Sequence, residues 1–148
     1  GADGLAIGMV GSDVEWDYLA LLATRGDGGT QPVAHPFFQR HFAMQRELVQ
    51  RRRAFWLVGR ADGRIVSSMG LRFTEHGLGR FQAVHTLSPY RNRGFGGAML
   101  SRASRIARDE FDARTLALVT DDAHQDALRL YHALGFRVVG RQVLLVRW

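Results

Sequence analysis

The chain has 148 residues, 46% hydrophobic and 23% charged, which suits one globular domain around a single core and leaves no room for a second of full size. There is no cysteine, so disulfides, zinc–thiolate sites and a cysteine nucleophile are excluded, and a reducing, cytoplasmic setting is the expectation. All 20 residues of the Lys+Arg total are arginine, which also removes a P-loop lysine, a Schiff-base lysine and any other lysine nucleophile. The formal charge of +6 favours an anionic partner, and arginine's planar fork points to phosphate without saying which phosphate. No apolar run approaches the roughly 20 residues of a membrane-spanning helix, and no signal-peptide pattern opens the chain. A start at Gly1 without methionine is compatible with a domain excised from a longer protein.

In chain order, Leu5-Ala6-Ile7-Gly8-Met9-Val10 reads as a first strand, followed by a helix cap at Gly11-Ser12-Asp13. Val14, Tyr18, Leu21 and Leu22 recur at helical spacing over residues 14–24, until Gly26-Asp27-Gly28-Gly29 breaks the pattern. A second helix is expected over about residues 36–53, with Phe38, Phe42, Leu48 and Val49 inward and its arginines outward. Strands over residues 55–59 and 65–71 flank Asp62-Gly63, whose preference for positive φ marks a hairpin turn. After a turn cluster at residues 75–79, another strand spans 81–86, and the glycine-rich stretch 91–97 opens a helix. Leu100, Ala103, Ala107 and Phe111 form that helix's apolar stripe with Met99 and Ile106 beside them, while Arg102, Arg105 and Arg108 face water. Thr115-Leu116-Ala117-Leu118-Val119 has the composition of a buried central strand. A helix over about residues 125–134 stops at Gly135, and strands at 136–139 and 142–146 complete a mixed sheet. The expected fold is therefore α/β (α+β), without repeats or linkers.

The strongest chemical signal is Arg91-Asn92-Arg93-Gly94-Phe95-Gly96-Gly97 between a strand and a helix. Glycines there let backbone N–H groups converge on an anion at the helix start, the dipole adds roughly 0.3–1 kcal/mol, and Arg91 and Arg93 supply further charge. A loop that only turns the chain is the plainer alternative. A Rossmann site is disfavoured, because Gly-x-Gly-x-x-Gly is absent. The stretch from Arg91 to Gly96 resembles the (Gln/Arg)-x-x-Gly-x-(Gly/Ala) coenzyme A loop of the GNAT superfamily of acyl-CoA-dependent N-acetyltransferases. Ala127-Leu128-Arg129-Leu130-Tyr131-His132-Ala133-Leu134-Gly135-Phe136 resembles its second signature, A-x-x-L-Y-x-x-x-G-F.

The resemblance implies a GNAT-like, mostly antiparallel sheet flanked by about four helices, and acetyl-CoA as donor. It also implies direct attack of a neutral primary amine on the thioester through a tetrahedral intermediate. Val84, His85 and Thr86 would lie on the strand whose backbone pairs with pantetheine, amides of Asn92 to Gly97 would hold the pyrophosphate, and Tyr131 would protonate the leaving thiolate. An unperturbed phenol, with a pKa near 10, is protonated at neutral pH and suits that step; anchoring a helix to the sheet is the plainer role for Tyr131. His124 stands where the family often has a cofactor-contacting asparagine, Pro89 is one residue nearer Arg91 than in the usual Pro-x-x-Arg, and Val119 replaces a glutamate found in some members.

Glu75 and His85 are the candidate general bases, each as readily a turn or packing residue, and water can serve instead. Asp121-Asp122 reads as turn chemistry, with attraction of a cationic acceptor as the alternative. The six histidines show no i, i+4 pair, so no metal site is expected. Arg51-Arg52-Arg53 beside Phe55-Trp56 could bind nucleic acid, but core aromatics after a solvated helix end fit better. The expected function is N-acetyl transfer to a small-molecule or peptide amine, with no membrane partner and with homodimerisation compatible with the family. A silent acyl-CoA-binding domain is the first alternative, and a basic nucleic-acid-binding domain the second.

Overall fold

A computed structural model describes residues 3–26, 28–74, 76–119, 125–138 and 144–147. Strand β1 (Ala6–Met9) leads into helix α1 (Asp13–Arg25), where Ser12 caps the first turn by accepting from the Glu15 amide and the Glu15 carboxylate reaches back to the Gly11 amide. Helix α2 (Pro36–Gln50) starts at a proline, whose missing N–H costs nothing at a helix N-terminus, with His35 Nδ1 accepting from the Phe37 amide. It ends three residues before the expected 53. Arginine is a good helix former, so the periodic pattern runs on, but Arg52 turns to φ 58° and sends the chain straight back into β2 (Ala54–Ala61).

The hairpin from β2 to β3 (Arg64–Phe73) turns at Asp62 and Gly63, both at positive φ (53° and 73°), as that dipeptide foretells. Strand β4 (Leu78–Thr86) starts earlier than expected: Gly79 is a strand residue, packed so tightly that a Cβ there would lie 2.8 Å from Leu116. A single 3-10 turn (Ser88–Tyr90) and the glycine-rich loop lead to α3 (Phe95–Phe111), β5 (Thr115–Val119), α4 (Gln125–Ala133), β6 (Arg137–Val138) and β7 (Leu144–Arg147). Gly135, at φ 95°, follows α4 as a capping glycine should.

The sheet runs β1-β2-β3-β4-β5-β7-β6, antiparallel except between β4 and β5. Strand β2 is buried on both faces because its side chains serve two cores. Phe55 and Leu57 pack with Met69, Leu71, Met99, Leu100, Leu116 and Tyr131 on the α3/α4 face. Trp56 and Val58 pack with Trp16, Leu19 and Phe42 on the α1/α2 face. The Trp56 ring lies across Gly70, the residue paired with it, where any side chain would collide with the indole.

Two irregularities shape the middle of the sheet. The β3/β4 register shifts between Ser68↔His85 and Gly70↔Gln82, a bulge that bends β4. Among the described residues the β4/β5 ladder stops at Arg80↔Ala117, while β4 continues to Thr86. The β5-facing edge of β4 from Phe81 onward therefore carries backbone groups outside that ladder, beside the N-terminus of α3.

Candidate active site

Val84, His85 and Thr86 form the end of this edge. Val84 is half-buried against the α3/α4 core, so its backbone rather than its side chain faces the opening. His85 is paired with Ser68, itself opposite Val58, which puts its ring on the α1/α2 face. Its carbonyl accepts from Ser67 Oγ at 3.0 Å, and Ser67 Oγ also meets Thr86 Oγ1 at 3.0 Å. Arg91 Nε donates to the Thr86 carbonyl at 3.0 Å and ties the loop to the strand end.

The loop then takes left-handed conformations at Asn92 (φ 63°) and Gly94 (φ 78°), the latter the N-cap of α3 without a side-chain cap. The first helical bond runs from Ala98 N to Gly94 O, so the amides of Phe95, Gly96 and Gly97 point out of the helix end, as an anion site requires. The three glycines differ in role. Gly94 supplies the positive φ, and a Cβ on Gly97 would lie 3.3 Å from Leu130 Cδ1, so Gly97 makes room for α4. Phe95 contributes only its amide; its ring is 3% exposed beside Tyr90 and Val66.

That contact at Leu130 joins the two signature segments, since Tyr131 is the next residue of α4. Tyr131 is 8% exposed, its ring edge-on to Phe136 at 6.2 Å, and burial raises its pKa above that of a free phenol. Its place in the core fits the anchor expectation, and a raised pKa keeps the phenol protonated at neutral pH, as a proton donor would also need.

Sequence reasoning missed the support beneath the loop. Tyr90 Oη donates to Asp62 Oδ2 at 2.9 Å, the guanidinium groups of Arg93 and Arg64 lie over its ring at 5.1 and 5.2 Å, and the ring stacks on Phe95 at 6.2 Å. Asp62 had been legible only as a turn former. The basic run behaves as expected of a solvated helix end: Arg51 pairs with Glu47, Arg52 lies over Phe111, and Phe55 and Trp56 are 2% and 1% exposed in the core. Val119 is 53% exposed and brings no acid to the site. His124, Glu75, Asp121 and Asp122 lie outside the described residues, and among those described no group of three potential metal ligands occurs.

Outward amides at a helix start, a strand edge leaving its ladder and a buried phenol on the adjoining helix lie at one end of the sheet, in a chain whose family is one of acyltransferases with a coenzyme A-type cofactor. The chain matches the Acetyltransferase (GNAT) family model over residues 16–136 and belongs to that family. It superposes on the acetyltransferase of GNAT family from Streptococcus pneumoniae with a TM-score of 0.79 at 16% identity, covering 97% of this chain and 98% of that one. Spermidine N-acetyltransferase from Vibrio cholerae in complex with CoA and spermine gives 0.74 at 14% identity, over 97% and 92%. Ribosomal-protein-S5-alanine acetyltransferase from Vibrio fischeri gives 0.79 at 12%, over 98% and 93%. At such identities the likeness is one of fold. No curated protein matches the chain in sequence.

Proposed function

We propose that the chain is a single acetyltransferase domain that moves an acetyl group from acetyl-CoA to a primary amine by direct attack. The observation that carries this reading is the contact of the anion loop with α4: the amides of Phe95 to Gly97 leave the end of α3 where Leu130 meets Gly97, one residue from Tyr131. When bound, acetyl-CoA supplies a thioester whose carbonyl carbon takes the amine nitrogen while the carbon–sulfur bond breaks. The amides of Asn92 to Gly97, with Arg91 and Arg93, hold the pyrophosphate. The β4 edge at Val84, His85 and Thr86 orients the pantetheine arm, and Tyr131 gives its phenolic proton to the departing sulfur. The amine loses its proton to water, since neither Glu75 nor His85 is needed as a base. Two of the neighbours are a spermidine N-acetyltransferase and a ribosomal-protein-S5-alanine acetyltransferase, and a cationic amine of either kind is the acceptor class.

Acetyl-CoA raises the melting temperature of the wild-type chain by mass action. Gly96→Val abolishes that shift while the protein stays folded, because a Cβ at Gly96 makes only an ordinary 4.0 Å contact with Leu130. No shift at millimolar acetyl-CoA overturns the cofactor assignment. A shift without thiol release across a panel of amines identifies instead a silent acyl-CoA-binding domain, the reading that Val119 in place of an acid favours.

A further inference from the structure

Beside the first turns of α3 lies a cavity of about 480 Å³ that the acetyl-transfer step does not use. Arg93 and Gly94 close its loop end, Arg102 and Arg105 line its far part, and Leu5 and Ile7 form an apolar floor. No carboxylate lines it among the described residues, and neither Arg102 nor Arg105 has an acidic partner among them. Other exposed arginines, Arg40, Arg53, Arg80 and Arg114, also lack an acidic partner among the described residues, so what sets Arg102 and Arg105 apart is that both line one cavity. Two unneutralised guanidinium groups facing one concavity make a site for a multiply charged anion.

The position says which anion. The cavity begins at the residues that present the loop amides, and the helix rise sets Arg102 and Arg105 roughly 7.5 and 12 Å beyond Gly97 along the axis. A ligand whose pyrophosphate sits at the loop reaches this stretch with the group next to it, the phosphorylated ribose. We propose that Arg102 and Arg105 bind the ribose 3′-phosphate of coenzyme A, with the adenosine lying over Leu5 and Ile7, and that this cavity makes the chain select coenzyme A over its 3′-dephospho form. The inference rests on the cofactor reading above and adds to it the group that distinguishes the two nucleotides.

Calorimetric titration at fixed salt tests it, with CoA and 3′-dephospho-CoA each titrated into wild type, R102Q/R105Q and R108Q. Wild type binds CoA about tenfold tighter than 3′-dephospho-CoA, the effect of two charge-assisted contacts screened by solvent. R102Q/R105Q binds the two alike, at the wild-type affinity for 3′-dephospho-CoA. R108Q, which removes a charge from the same helix outside the cavity, keeps the tenfold preference. A preference retained in R102Q/R105Q, lost equally in R108Q, or absent from wild type overturns the assignment. In that last case 3′-dephospho-CoA still binds and the cofactor reading stands; if neither nucleotide binds wild type, that reading falls too.

Discussion

Burial packs the Tyr131 ring and raises further a phenol pKa that already leaves the group protonated at neutral pH. An aromatic ring edge-on to Phe136 stabilises the α4 side of the core, and the dry surroundings that favour this contact also disfavour a phenolate. Tyr131→Phe separates the two contributions, since it keeps the ring and removes the proton. Thiol release with a good amine should fall by roughly 10²–10⁴-fold, with acetyl-CoA affinity and melting temperature nearly unchanged, because a donor used only as thiolate charge develops appears in turnover alone. Unchanged turnover in the folded variant leaves Tyr131 as a core residue. Gln45 shows the limit of reading single residues from sequence. It follows Phe42 by three positions, so spacing puts it inward and polarity puts it outward; it is 0% exposed, and among the described residues neither of its amide atoms has a hydrogen-bond partner. Gln45→Met keeps the volume and removes both polar atoms, and should raise stability by about 1–3 kcal/mol, read as a melting temperature several degrees higher. A lower melting temperature would mean that the amide is paired and that its loss is the larger effect.

Elements with a local cause were legible; those fixed by pairing across the sheet were not. Asp62-Gly63 announces its hairpin and Gly135 its helix end, because each supplies a conformation that other residues take only with strain. The β4 bulge and the parting of β4 from β5 leave no such mark, since both depend on which residue of a neighbouring strand lies opposite. The hairpin and the anion loop are likewise joined only in space, through Tyr90 and Asp62. Tyr90→Phe removes that hydrogen bond while the ring stays stacked on Phe95, and it should raise the acetyl-CoA KM about fivefold, worth about 1 kcal/mol, with kcat preserved. Asp62→Asn keeps an acceptor oxygen and tolerates the positive φ, so its KM should stay close to wild type. An unchanged KM in Tyr90→Phe would show that the loop holds its shape without the hairpin.

At the scale of the molecule, an excess of six positive charges acts on folding and on binding with opposite signs. The two-faced sheet was readable as a mixed α/β fold, but which charges gather at one place depends on the folded surface, where Arg91 and Arg93 flank the start of α3 and Arg102 and Arg105 continue along it. Without cofactor, the excess cations repel one another in the compact state. Raising sodium chloride from about 0.01 M to about 1 M shortens the screening length from roughly 30 to roughly 3 Å, so the melting temperature of the free protein should rise. Acetyl-CoA affinity should fall over the same range, because the same screening weakens the attraction between those arginines and the phosphates. The uncharged contacts at the β4 edge and the loop amides lose less, so the affinity should level off at high salt. In Arg91→Gln/Arg93→Gln the salt dependence of binding should flatten toward that plateau, while the melting temperature still rises with salt through the charges that remain. Affinity in the wild type that does not change with salt would take the arginines out of phosphate recognition and leave it to the backbone amides of the loop.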